Sequence, residues 1–394
     1  METNARRITA SPRLALLSAV AGLCLATTAC NHPEGHTASA SAAKAHPAPS
    51  AAAPASAPAP AQSASAASAT FTPQKLDFQD TAMGTKVHFV AFTNPKAGAE
   101  TAQAAVKAAF VEMGRLEKLM SAWQKNSEVS DINQHTGQLV KVSPETYDVI
   151  KKSLWAGKVS EGTFDITFEA MSGVWKFGDA AVAHPKLPSK AKIKRLEKLI
   201  DYRKIKVNDQ DRSVMLPKGM SMSLGGIAKG YIVDKAAAVL EKRGVTDFLV
   251  QAGGDLLGRG HKPDGSPWVS GIRDPRGPQG TYFATIQLTD HAFSTAGDYA
   301  RAYILNGKRY HHIIDPRTGY PATASRSVTL WAPDAFTADA IDDAVFILGP
   351  EKGLKLVDSI DGCGAVIVDK NNKVYVSKRL KDKVKVLRQP TGGI

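Results

Sequence analysis

Apolar positions recur along the chain with two periods, and the switch between them marks out the elements. Residues 86–92 alternate apolar and polar, the two-residue period of a half-buried strand. Asn94-Pro95 breaks that pattern and opens a helix over 99–120, rich in Ala, Glu, Lys and Leu. Ser143-Pro144 supplies a cap and a first-turn proline, so a second helix is expected to about Val159. A lysine-rich helix follows at 190–199, then short strands at 204–207 and 213–216 around an Asn/Asp turn. Residues 226–242 read as a helix and 247–251 as a strand. Further strands are expected at 268–272, 282–288, 302–305 and 327–331. Helices at 337–348 and 351–358 and strands at 365–368 and 373–376 close the chain. Helices and strands do not alternate regularly, which argues for an α+β fold rather than a doubly wound sheet. No internal repeat is evident.

The N-terminus changes the picture from a plain enzyme-sized domain to an exported one. Arg6, Arg7 and Arg13 precede an apolar stretch, 14–29, that ends at Cys30. This is the layout of a bacterial export signal, with 1–29 as the leader. Thr27, Thr28 and Ala29 resemble a lipobox with threonine where leucine is usual. Cys30 is then expected to carry lipid and anchor the chain in the cell envelope, facing the periplasm; an ordinary cleaved signal is the alternative. Residues 31–70 are Ala/Pro/Ser-rich, too polar and simple to bury a core, and read as a disordered tether reaching on the order of 100 Å when extended. Its scattered His32, His36 and His46 fit a solvated linker better than a metal tract. The folded part is therefore 71–394, one domain. Of the three cysteines only Cys363 remains inside it, so no disulfide is available.

The net charge of +13 suits an anionic partner, a lipid surface or a phosphate substrate. No zinc-finger spacing, RNA-binding aromatic motif or recognition helix appears, which excludes nucleic acid as the expected partner. Chemistry concentrates in a few segments. Residues 223–234, SLGGIAKGYIVD, form a small-residue loop entering a helix. Glycines let backbone approach a ligand, first-turn amides attract phosphate, and Lys229 reaches an anion there. A tightly packed glycine turn is the plain alternative. Asp339 and Asp343 lie one turn apart on one helix face, where they repel unless a hard cation sits between them or the helix dipole alone stabilises them. Asp255 after Gly253-Gly254 places a carboxylate at a strand end or in a mere turn. Residues 310–321, YHHIIDPRTGYP, couple two imidazoles to a strand end, and Asp315-Pro316 and Gly319 make a turn. Trp123 is free to stack on a flat ring or to pack in the core.

Taken in order, these segments resemble the ApbE family of FAD:protein FMN transferases. The resemblance is carried by Met83-Gly84-Thr85, the 121–133 stretch, Phe164-Asp165-Ile166-Thr167, 224–234, Gly253-Gly254-Asp255, the 294–299 stretch, 312–319 and 338–349. It implies a T-fold-like α+β domain of mixed or antiparallel sheets with packed helices. The implied enzyme splits FAD with Mg²⁺, moves FMN onto a Ser or Thr hydroxyl of a membrane or exported flavoprotein, and releases AMP. By position, Met83, Trp123, Thr163, Phe164, Asp165, Ser223, Lys229 and Ile313 would line the FAD site. The Gly226 carbonyl, Asp339 and Asp343 would hold the metal, and His312 would stand near the reacting phosphate. Two positions depart from the family pattern: Ser223 stands where aspartate is usual, and Asp343 where threonine is usual. One carboxylate is lost and one gained, which suggests compensation. An FAD pyrophosphatase and a non-catalytic flavin-binding lipoprotein are the alternatives.

Overall fold

Eight strands that follow one another in sequence order form a wholly antiparallel central sheet. The computed structural model describes residues 71–177, 182–183 and 185–394. The expected leader, Cys30 and the tether lie outside the described residues. The strands are β1 (Lys75–Ala82), β2 (Thr85–Phe92), β3 (Phe248–Ala252), β4 (Asp255–Arg259), β5 (His291–Gly297), β6 (Ser325–Ala332), β7 (Gly364–Asp369) and β8 (Val374–Val376). The helices are α1 (Ala99–Met120), α2 (Glu128–Gln134), α3 (Pro144–Val159), α4 (Lys190–Glu197), α5 (Ala228–Lys242) and α6 (Ala335–Asp358).

Period-two alternation sorts the sheet into two buried faces. Phe89, Val250, Leu257, Ala292, Leu330 and Ile367 point to the layer of α5 and α6, which α1 covers from outside. Their neighbours Val90, Leu249, Leu256, Phe293, Trp331 and Val366 point the other way. There they meet a small antiparallel sheet of Val269–Arg273, Tyr282–Gln287 and Val384–Val386, filled by Trp268 and Phe283. A third cluster of Met171, Trp175, Ile193 and Ile314 seats α4 and the 310–321 segment on the domain.

The α+β expectation holds, and every strand pairing among the described residues is antiparallel. The two expected C-terminal helices are one run, α6, broken where Gly349 takes φ 73° before Pro350. The sequence pattern missed β1, α2, β4, β5 and the strand Lys308–His311. β1 is an edge strand that leaves most of its residues to solvent. α2 is only seven residues long; its signal was Ser127, whose hydroxyl caps Ser130 N at 3.0 Å. β5 is spelled with Ser, Thr, Ala and Gly because its helix-side face lines a polar site.

α5 and α6 cross in close contact at Gly230. A Cβ there would strike the Ala335 carbonyl and approach Asp339 Cβ to 2.7 Å. Asp234 fixes the same crossing by accepting the Ala335 and Phe336 amides, both at 2.9 Å, at the start of α6. Gly230→Ala is therefore expected to destabilise the domain by about 1–3 kcal/mol through overpacking. Thermal unfolding measures this; an unchanged melting temperature would contradict the close crossing.

Candidate active site

The strand parity that builds the core also brings charge together. Asp255 begins β4 in step with Leu257, and Ser294 lies in β5 between Ala292 and Ala296, so both side chains face the helices. Lys229, in the first turn of α5, and Asp339, Asp342 and Asp343, on α6, come down onto the same spot. Lys229 Nζ donates to Asp255 Oδ2 at 2.6 Å and to Asp339 Oδ1 at 3.3 Å. The Gly230 amide donates to the other Asp339 oxygen at 2.9 Å. Ser294 Oγ lies 2.6 Å from Asp255 Oδ1 and 2.7 Å from Asp342 Oδ2.

Four carboxyl groups thus share one ammonium, and their ionisation reflects it. Burial opposes the charge on Lys229, but Asp255 and Asp339 outweigh it and hold the ammonium above the ordinary lysine value. Burial, then Asp255, push Asp339 up to about 7 against the pull of Lys229. Burial pushes Asp343 up to about 6. Burial and then Asp343 and Asp339 raise Asp342 well above the usual carboxylate range. The Ser294 hydroxyl has a single proton yet makes two short contacts to carboxyl oxygens, so one of the two acids supplies the second proton. Asp342 is that acid. The Asp343 carboxylate accepts no hydrogen bond among the described residues and stays partly exposed. Lys229 keeps 33% of its side-chain surface exposed, which leaves the ammonium open to a ligand.

The glycine loop opens onto this cluster. Gly225 and Gly226 are exposed; in the first turn of α5 the Ala228 amide is spent on the Leu224 carbonyl and the Gly230 amide on Asp339, which leaves the Lys229 amide to an anion. Phe164 lies against Gly226, 3.5 Å from where a Cβ would stand. Ser223 accepts the Gly225 amide at 3.2 Å and donates its own amide to the Ile166 carbonyl. The remaining residues expected around FAD are placed as follows. Met83 sits in the β1–β2 turn at φ 53°, its amide donating to Glu117 at 2.9 Å. Trp123 is 85% exposed, which excludes core packing. Thr163 is buried with its hydroxyl on the Ser160 carbonyl at 2.9 Å. Asp165 spends both oxygens on local donors: the Thr167 amide and hydroxyl, and the Tyr202 amide at 2.9 Å. It shapes the chain around Phe164.

The 310–321 segment forms the next wall. His311 is buried and fixed, with Nε2–H on the Ala322 carbonyl at 2.8 Å and Nδ1 accepting the Ile313 amide at 3.3 Å. Asp315 holds Arg317, and Gly319, at φ 70°, offers its carbonyl to Trp175 Nε1 at 2.8 Å. That turn is structural. His312 differs: its backbone amide donates to the Arg301 carbonyl at 3.1 Å, but neither ring nitrogen has a partner among the described residues, and Nδ1 is buried. Burial, then Arg301 and His311, lower its pKa to about 4, and Lys229 adds to the effect. His312 is therefore a neutral imidazole within electrostatic range of Lys229. Because its folded pKa lies below its unfolded one, it costs stability as pH falls from about 6.5 toward 4, where only the unfolded chain takes up the proton. Its imidazole C–H resonance is expected to stay at the neutral position from pH 8 down to 5; a midpoint near 6.5 would contradict this environment.

Of the expected residues, Lys229 pairs with Asp339 and acts on Asp343 and His312, and Phe164 packs against Gly226. Sequence reasoning gave too little weight to Asp255, Ser294 and Asp342. Their signals were a carboxylate opening a strand after two glycines, and an unusually hydroxyl-rich strand.

The ApbE family model matches residues 83–367. The chain belongs to the ApbE family. It is 30% identical over 273 residues to the FAD:protein FMN transferase of Escherichia coli K12, covering 67% of this chain and 77% of that protein. It is 30% identical to the FAD:protein FMN transferase of Treponema pallidum over 308 residues, 74% of this chain and 84% of the relative. The crystal structure of the ApbE protein of Thermotoga maritima superposes with TM-score 0.71 at 34% identity, covering 80% of this chain and 100% of that one. The flavin transferase ApbE of Vibrio cholerae superposes with TM-score 0.69 at 27% identity, covering 79% and 100%. Membership accounts for the order of segments along this ApbE-family chain. Among the described residues, no helix is long and apolar enough to cross a membrane.

Proposed function

We propose that this chain is an FAD:protein FMN transferase that uses Mg²⁺, moves FMN onto a Ser or Thr hydroxyl of an exported or membrane flavoprotein, and releases AMP. The observation that carries the reading is the convergence of Lys229, the exposed glycine loop before α5 and the Asp339/Asp343 face, with neutral His312 in range. Phosphoryl transfer needs alignment and charge neutralisation more than covalent help, and these are the groups that provide them.

No group of three or more His, Cys, Asp or Glu side chains among the described residues is arranged to hold a metal ion. The site proposed here needs fewer: two carboxylates, Asp339 and Asp343, and the exposed Gly226 carbonyl. The donor set fits a hard cation, because four carboxyls meet one ammonium and Asp343 is left without a hydrogen-bond donor. When bound, Mg²⁺ would neutralise charge on the pyrophosphate. The chain's own groups do the rest. Exposed Trp123 would stack on the flat flavin ring. Lys229, through its ammonium and its own backbone amide, would take phosphate charge. The acceptor oxygen attacks the FMN-side phosphorus as the bond to the bridging oxygen breaks, and AMP leaves with that oxygen. His312 takes the hydroxyl proton; a base that is neutral throughout the working pH range is always ready for this. Lipidation at Cys30 would hold the enzyme beside membrane acceptors at high effective concentration.

The exchange of an acidic Ser223 position for an acidic Asp343 position belongs to this reading. The Ser223 hydroxyl makes only the local bond to the Gly225 amide, whereas Asp343 faces the cluster. Asp343→Thr alone is expected to lower Mg²⁺-dependent transfer about tenfold, and Ser223→Asp in the same chain to restore most of it. Independent, multiplying effects in the double variant would sink the compensation. Incubation with FAD, Mg²⁺ and a Ser/Thr acceptor tests the function as a whole. Covalent flavin supports transfer, free FMN with AMP means hydrolysis, and intact FAD means a binder.

A further inference from the structure

Residues 186–198 lead into α4 and run through it, and they carry six cations to one acid: Lys186, Lys190, Lys192, Lys194, Arg195 and Lys198 against Glu197. All six cations are exposed, and none forms an ion pair among the described residues. Other exposed cations of the domain do find acids: Arg115, Lys151, Arg203 and Lys355 are all paired. Lys190, Lys194 and Lys198 follow one another at four-residue spacing, where like charges repel and weaken a helix. Nothing inside the fold offsets that cost, so the relief has to come from an anion outside it.

The seat of α4 decides where the charge points. Ile193 is buried against Met171, Trp175 and Ile314. With successive residues about 100° apart round the helix, the five cations from Lys190 to Lys198 cover an arc of about 200° on the side away from Ile193. Leu187, just before the helix, leaves 49% of its surface in solvent among these charges. The face is therefore convex, basic and dotted with apolar surface. Five of its six cations are lysines, compact charges without the fork that reads a carboxylate in fixed register. No aromatic side chain lies among residues 186–198 to stack on bases. A face of this kind matches an extended, laterally mobile anionic surface, in which each lysine finds its own headgroup. It is also held firmly to the catalytic side. Gly319, in the segment that carries His312, abuts Ile193 so closely that a Cβ there would stand 2.5 Å from Ile193 Cγ2.

We propose that residues 186–198 form a membrane-contact face: the outer cations of α4 lie on the headgroups of an anionic phospholipid bilayer, and Leu187 dips into the interface. This contact is separate from any lipid at Cys30 and does not depend on the transferase reading.

The test places the full chain on vesicles of phosphatidylcholine, alone or with about one third phosphatidylglycerol, and reads amide hydrogen exchange. Residues 186–198 should gain about tenfold protection on the anionic vesicles and none on the neutral ones, and the gain should disappear in about 0.5 M salt. The combined variant Lys190→Gln, Lys192→Gln, Lys194→Gln, Arg195→Gln should lose the gain. Its preference for anionic over neutral vesicles in sedimentation should fall about 10²–10³-fold relative to the parent chain. An unchanged thermal melt shows that the variant is folded. Leu187→Ser, a single change at an exposed position, serves if it is not, and should weaken binding to anionic vesicles about fivefold. Equal protection on both kinds of vesicle, protection confined to other segments, or the same protection from inorganic phosphate alone would each overturn the proposal.

Discussion

Lys229→Met is expected to lower FAD splitting and flavin transfer by about 10²–10³-fold, the usual loss when a preorganised charge partner of a reacting phosphate is removed. The geometry predicts more than a lost contact. Lys229 is the ammonium that holds both Asp255 and Asp339, at 2.6 and 3.3 Å. Without it, four carboxyls, three of them buried, face one another, and Asp339, already raised to about 7, is pushed up further. Metal affinity should therefore fall together with rate at neutral pH, because protonated acids do not ligate. A stability loss of about 1–3 kcal/mol should accompany this, at the low end for a broken ion pair because a third of the lysine side chain lies in solvent. Steady-state rates with titrated Mg²⁺ and a thermal melt check both parts. Activity within threefold of the parent chain would show that Lys229 only ties β4 to α6.

The second large effect is at His312. His312→Asn is expected to lower transfer about 10²–10⁴-fold and to leave FAD affinity within about threefold, the signature of a lost proton acceptor rather than a lost binding group. Among the described residues the imidazole has no hydrogen-bond partner to lose, so the substitution removes a reactive group without breaking a network. This separates it from neighbouring His311, whose two ring nitrogens both carry structural hydrogen bonds. Full transfer by His312→Asn would remove the histidine from the mechanism.

What the sequence revealed and what it hid follow from how each feature is encoded. α1, α5 and the two halves of α6 were legible because capping, glycine and proline signals act locally. The alternating stretch of β2 was legible because its period is written into consecutive residues. β4 and β5 were not, because their patterns serve the site as well as the core. Asp255 is fully buried at a strand start, and Ser294 stands between two alanines. Neither looks like part of a strand or a site until Lys229 and Asp342 arrive from distant helices. The charge balance of the cluster was equally hidden. Asp339 and Asp343 are one turn apart in the sequence, but the contribution of Asp255 depends on antiparallel register, and that of Asp342 on a single serine hydroxyl. Trp123 shows the opposite case. The sequence allowed stacking but made core packing the commoner expectation, and its exposure in the fold decides against the core.

The most direct measurement incubates the purified full chain with FAD, Mg²⁺ and a Ser/Thr-containing acceptor peptide, counting AMP released and flavin bound covalently to peptide. The account predicts AMP and peptide-bound flavin in equal amounts, both abolished by chelating the metal. AMP with an equal amount of free FMN and no labelled peptide, or FAD recovered intact, would contradict it.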